Sequence, residues 1–271
     1  MIRKFSVLFP AAILAVAVFI PTFASAGAVE TIKAKGVLVA GVKDSLPPFG
    51  FVDPAAREIT GYDIDFVKAI AKKLGVKLEL KPVTSASRIP QLESGNIDII
   101  AATMTKTPER ANQIDFSVTY FLTGQKFLVK KGTLSSLKDL DNKKIGTAKG
   151  STSEQNVKKA APTAKVLAFD DYPQAFLALA QGKVFAVTTD EAILAGIMAK
   201  AQNPADYDIP DVRISDEPYG LGMRKGSTDL VKFVNNTLIE MEKSGEAAKI
   251  FDKWFGPASQ APLKRNFKIT Q

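Results

Sequence analysis

GYDIDFVKAIAKKLGVKLEL, residues 61–80, contains the change of period that decides the fold. Between Asp63 and Leu74 the apolar residues Ile64, Val67, Ile70, Ala71 and Leu74 recur three or four apart, the spacing that lines one face of a helix. Gly75 follows, where a left-handed residue commonly ends a helix. Val76, Leu78 and Leu80 then alternate with Lys77 and Glu79, the period of two that marks a strand. A helix passing directly into a strand is half of a βαβ unit, and the same pattern extends in both directions along the chain.

Upstream, Val37–Val42 is a short apolar run suited to a buried strand, and Pro47-Pro48 marks a turn. Downstream, Arg88–Ser94 reads as a short helix closed by Gly95, and Ile97–Ala102 as the next buried strand. Thr107-Pro108 has the chemistry of a helix cap followed by a first-turn proline. A second α/β set begins near Gln125, with strands over Lys144–Ala148, Val166–Phe169 and Val184–Thr188. Its helices are Pro173–Gln181, Asp190–Lys200 and one opened by Ser151-Thr152-Ser153-Glu154, a capping-box pattern. Beyond Tyr219–Met223 a helical pattern runs from Thr228 to Ser244, breaks at Gly245 and resumes to Phe255. The alternation predicts an α/β fold of two lobes, each a mainly parallel sheet flanked by helices with a ligand edge at its strand ends.

The first 26 residues read as a removed signal peptide: Arg3 and Lys4, an apolar stretch from Phe5 to Ile20, then Ala24-Ser25-Ala26 as a small-x-small cleavage pattern. A membrane anchor fits less well because Pro10 and Pro21 interrupt the stretch. The chain contains no cysteine, which excludes disulfides, thiolate metal sites and a lipidated anchor, so a protein free in the periplasm is expected. It contains no histidine either, so the commonest general base and metal ligand is missing. Both absences weigh against an enzyme, and no metal or cofactor is expected. The net charge of +8 becomes +6 once Arg3 and Lys4 are set aside, a field that draws anionic solutes. No basic cluster or aromatic groove pattern supports a nucleic-acid partner.

The order and spacing of several segments resemble one family, the periplasmic amino-acid-binding proteins of ABC importers, in their glutamate/aspartate branch. The segments are Gly41-Val42-Lys43 with Pro48-Phe49, Gly61-Tyr62-Asp63-Ile64-Asp65, Ser85-Ala86-Ser87-Arg88-Ile89-Pro90 and Thr105-Lys106-Thr107-Pro108-Glu109-Arg110. Gly150-Ser151-Thr152-Ser153, Asp170-Asp171-Tyr172-Pro173, Thr189-Asp190-Glu191-Ala192 and Asp252-Lys253-Trp254-Phe255 continue it, together covering nearly the whole chain after the leader. The resemblance implies a discontinuous first lobe of residues 27–124 and 219–271, a second lobe of 125–218, and a two-strand hinge. It further implies a monomer that closes over its ligand and delivers it to the permease subunits of an importer.

An amino acid brings a carboxylate and an ammonium, and burying either unpaired costs several kcal/mol. Arg110 resembles the family arginine that grips the α-carboxylate, and Asp190 the carboxylate that pairs with the α-ammonium; a surface arginine and a helix cap are their ordinary alternatives. Ser151 and Thr152 open a helix whose amides can face the same carboxylate, and Thr103 and Thr105 offer further polar atoms at a strand end. Lys43 and Arg88, with Ser85 as a neutral donor, match the positions that read a distal carboxylate. Tyr172 matches a family tyrosine or histidine position. Phe49 or Phe51 is expected to cover the ligand's aliphatic stem or to serve the core. The ligand expected is therefore L-glutamate or L-aspartate. The alternatives are a neutral polar amino acid, glutamine or asparagine, and an exported dehydratase built on the same fold.

Overall fold

A computed structural model describes Ile2 and residues 27–271. The expected leader over residues 1–26 lies outside the described residues, Ile2 apart. Helix α1 (Ala28–Lys35) leads into strand β1 (Val37–Val42), and three short strands follow: β2 (Ser45–Leu46), β3 (Gly50–Val52) and β4 (Ile59–Thr60). Helix α2 (Tyr62–Leu74) has the predicted apolar face buried, and Gly75 caps it in the left-handed conformation, φ 74°. Next come β5 (Lys77–Pro82), α3 (Arg88–Glu93), β6 (Ile99–Ala101), α4 (Pro108–Gln113) and β7 (Ile114–Phe116). Thr107 caps α4 as its sequence predicts, its side chain accepting from the Arg110 amide.

The long strand β8 (Phe121–Lys130) then carries the chain into a second sheet. That sheet gathers β9 (Lys144–Ala148), α5 (Thr152–Ala160), β10 (Lys165–Phe169), α6 (Tyr172–Ala180), β11 (Ala186–Asp190) and α7 (Glu191–Ala199) around itself. Strands β12 (Tyr207–Asp208) and β13 (Ser215–Tyr219) both pair with β8 before the chain returns through β14 (Gly222–Arg224), α8 (Thr228–Ser244) and α9 (Glu246–Phe255).

The first sheet has the order β5-β1-β6-β14-β7 and the second β10-β9-β11-β8-β12, with β13 also on β8. The expectation of mainly parallel sheets is corrected here, because both are mixed. Strands β1, β5 and β6 run parallel, as do β9, β10 and β11, whereas β14 pairs antiparallel with β6 and β7, and β8 antiparallel with β11, β12 and β13. The parallel half of each sheet comes from βαβ crossovers; the antiparallel half comes from chain that enters or leaves the lobe. Leu122 lies opposite Pro218 and Gln125 opposite Ser215, so β8 and β13 form a two-stranded ribbon joining the sheets.

An aromatic cluster at the base of the first sheet buries Phe49, Tyr62, Tyr120, Phe121, Tyr219 and Phe255 almost completely. Phe49 meets Tyr62, Phe121 and Tyr219 edge-on at 4.9–5.9 Å between ring centres, arrangements contributing about 0.5–1.5 kcal/mol each beyond the area they bury. The tail after α9 returns across this cluster. Arg265 pairs with both carboxylate oxygens of Glu242 and lies over the Phe251 and Phe267 rings, while Phe267 packs 5.4 Å from Phe121. Among the described residues no helix is long and apolar enough to cross a membrane.

Candidate functional site

The parallel strands of both sheets deliver their C-terminal ends to the same cleft. In the first sheet Lys43 follows β1, Ser85 and Arg88 lie where β5 turns into α3, and Thr103 and Thr105 follow β6. In the second, Ser151 and Thr152 follow β9, Tyr172 follows β10 and Asp190 ends β11. Lys43, Ser85, Arg88, Thr103, Thr105, Arg110, Ser151, Tyr172 and Asp190 are all buried, although most are charged or polar.

The lobes are in contact. Arg110 Nη1 donates to the Thr105 carbonyl at 2.9 Å and Nη2 to the Gly150 carbonyl across the cleft at 3.2 Å. Gly150 has φ 70°, and a Cβ there would come within 2.8 Å of the Ala86 backbone, so only glycine permits this approach. Gly196 on α7 lies so close to the Pro47 carbonyl that a Cβ would collide with it.

At the end nearest the second sheet, Ser151 caps α5: its Oγ accepts from the Glu154 amide at 3.2 Å and donates to the Ala148 carbonyl at 2.6 Å. The Glu154 carboxylate reaches back to the Gly150 amide at 3.3 Å, one residue beyond the cap, so the predicted capping box is closed by a different amide. The amides of Thr152 and Ser153 stand in the first turn, where the helix itself supplies no acceptor. Thr152 Oγ1 donates to Glu217 Oε2 at 2.9 Å. Asp190 accepts from the Tyr219 hydroxyl through Oδ2, while Oδ1 is buried with no partner among the described residues. Burial, and then the neighbouring Glu217 carboxylate, pushes the Asp190 carboxyl up to about 8. Tyr172 is raised by its burial and by Asp190, and its hydroxyl lies 3.4 Å from Ser153 Oγ.

At the other end Lys43 Nζ donates to Ser85 Oγ at 3.1 Å. Burial and then Arg88 hold the Lys43 ammonium well below its ordinary pKa. Arg88 Nη1 donates to the carbonyls of Ala102 at 2.5 Å and Thr103 at 3.1 Å, leaving Nε buried without a partner among the described residues. Thr103 is left-handed, φ 50°, an uncommon conformation for a β-branched residue. It is held there by Asp63, whose Oδ2 accepts the Thr103 amide at 2.9 Å and whose Oδ1 accepts the Tyr120 hydroxyl at 2.6 Å. Burial raises the Asp63 carboxyl to about 6.

Phe49 is buried within the aromatic cluster, and Phe51 packs against Trp254 at 5.8 Å. Two buried carboxylates escaped the sequence reading. Asp63 lies at the start of a helix, where acids are common, so its sequence position does not distinguish it. Glu217 lies in the ribbon strand, where it accepts from Thr152, Asn156 and Ser215 at 2.5–2.9 Å. Around the cleft, three buried cations, Lys43, Arg88 and Arg110, therefore face three buried carboxylates, Asp63, Asp190 and Glu217.

Two mixed α/β sheets joined by a ribbon, with charged groups converging between them, define a two-lobed binding protein. The chain belongs to the bacterial extracellular solute-binding proteins, family 3, whose model matches residues 38–257. It is 44% identical over 230 residues to the ABC transporter glutamine-binding protein GlnH of Bacillus subtilis (strain 168), covering 82% of each chain. A glutamate/aspartate import solute-binding protein of Salmonella typhimurium (strain LT2) is 34% identical, with 91% of this chain and 86% of that one covered. Among solved structures, an ancestral arginine-binding protein bound to glutamine superposes with a TM-score of 0.77 at 48% identity, over 82% of this chain and 98% of that one.

Proposed function

We propose that the chain is the extracytoplasmic solute-binding component of an ABC importer for polar amino acids, and that its ligand is glutamine. The observation that carries the choice is the charge balance of the cleft. Beside an uncharged amide, Lys43 and Arg88 need compensating charge from the protein itself. Asp63 supplies negative charge to both of these cations, and Glu217 does the same for Arg110, so a zwitterion with an uncharged side chain leaves the acidic and basic groups around the cleft equal in number. The similarity to glutamine-binding relatives points the same way.

In this reading Arg110 and the first-turn amides of α5 take the α-carboxylate. Asp190 takes the α-ammonium with the oxygen that has no partner, and Thr103 and Thr105 contribute neighbouring polar atoms. Lys43, Ser85 and Arg88 direct donors at the side-chain carbonyl oxygen, with Tyr172 closing the cleft from the second lobe. Residues 27–124 with 219–271 form one lobe and 125–218 the other, closing about the β8–β13 ribbon. The protein acts as a monomer in the periplasm, handing its ligand to the permease subunits, and performs no chemistry on it.

Glutamate, with aspartate, is the second reading. It is favoured by Lys43, whose ammonium donates to a neutral hydroxyl and, among the described residues, to no carboxylate. Titration calorimetry with glutamine, glutamate, asparagine and aspartate separates the two. Glutamine is expected to bind tightest, and a tenfold preference for glutamate would overturn the glutamine assignment.

A further inference from the structure

Lys43 and Arg88 lie at the side-chain end of the cleft, and three carboxylates stand near Lys43: Asp44, Asp171 and Asp63. Asp44 and Asp171 are half-exposed, so water screens them. Asp63 is completely buried and acts on both cations. Both of its carboxylate oxygens are taken, one by the Thr103 amide and one by the Tyr120 hydroxyl. The Thr103 bond also fixes the backbone turn whose carbonyls, Ala102 and Thr103, hold Arg88 in place.

We propose that Asp63 is a specificity-determining positioning residue: it neutralises the Lys43–Arg88 pair from behind and so sets whether the cleft prefers an uncharged amide or a carboxylate side chain. The inference rests on the polar amino-acid reading above. With Asp63 ionised, a neutral amide completes a balanced site. Without that charge the site carries a net positive charge at its distal end, which only an acidic side chain offsets.

Asp63→Asn keeps the size of the side chain and an acceptor oxygen for the Thr103 amide. The measurement is the ratio of glutamate to glutamine affinity by calorimetry at pH 7.5, in wild type and variant. The ratio is expected to move toward glutamate by about tenfold or more, since removing a unit charge from a partly dry site supplies that difference. A purely structural role would weaken both ligands together and leave the ratio unchanged, which would overturn the proposal. In a Lys43→Met background the shift produced by Asp63→Asn should shrink, because one of the charges it acts through is gone; an undiminished shift would also count against it.

The same ratio in wild type between pH 7.5 and 5 needs no substitution. The titratable groups facing Asp63 are Tyr120, Tyr62, Arg88 and Lys43. Protonation of Asp63 as pH falls through about 6 should raise the glutamate share. Asp190 serves the ammonium common to both ligands and cancels from the ratio. A flat ratio would sink the inference. A wild type that simply prefers glutamate would overturn the glutamine assignment and leave this test intact, whereas one that binds neither ligand would overturn both.

Discussion

With one carboxylate oxygen bonded by Tyr219 and the other buried without a partner among the described residues, Asp190 has an unmet hydrogen-bonding demand that the proposed α-ammonium contact would satisfy. Its carboxyl is raised to about 8, so the folded protein holds this proton more tightly than an unfolded chain does. The stability associated with that proton is fully present below about pH 4 and is lost as pH rises through 8. Asp190→Asn removes the ionisation cost. The ligand-free variant should therefore be more stable than wild type at pH 8.5, by on the order of 2 kcal/mol, with the gap closing toward pH 4. It should also lose affinity for every amino acid. Thermal unfolding across that pH range checks this, and an unchanged or lowered midpoint at pH 8.5 would show that the pocket does not penalise the charge. Arg110 and Asp190 could be picked out in the sequence because they occur in recurring segments at helix starts. Glu217 could not, because Ser215-Asp216-Glu217-Pro218-Tyr219 has the alternation of an exposed edge strand, and only the packing of α5 against the ribbon buries it.

Helix α7 offers an experiment in which stability and affinity should move in opposite directions. Gly196 sits inside the helix, where alanine is favoured by about 1 kcal/mol, yet a Cβ at this position meets the Pro47 carbonyl across the cleft. Gly196→Ala should leave the ligand-free protein as stable as wild type or more so, while weakening glutamine about tenfold or more by obstructing closure. Equal affinity in calorimetry would mean that the lobes do not approach there in the bound state. Elements such as α2 and α8 were readable because their signals are local: an apolar face, then Gly75 or Gly245 in the left-handed conformation at the end. The antiparallel half of each sheet was not. Strand β13 pairs with β8 about ninety residues away, and β14 inserts between β6 and β7 with only three residues of its own. No periodicity within such strands specifies which partner they join.

For the molecule as a whole, the charged groups of the cleft are buried where the lobes meet, and on the proposed reading a ligand that pairs with Arg110 and Asp190 offsets the cost of burying them. Glutamine at saturating concentration should therefore reduce the radius of gyration measured by small-angle scattering. An unchanged radius, in a protein shown by calorimetry to have bound, would argue against closure about the ribbon. The passage of the chain through both sheets has a further outcome, for the order in which a growing polypeptide can acquire its shape. Every strand of the second sheet lies within residues 121–219, an unbroken run. The first sheet begins earlier but has its fourth position filled by Gly222–Arg224, and the tail that packs on Phe121 comes later still. Until Gly222–Arg224 is made, the edge at Ile99 and Ile100 lacks the strand that pairs with it on that side. The half of the protein that starts first is the half that finishes last, and for that interval it presents an open apolar strand edge to whatever chaperone or neighbouring chain is at hand.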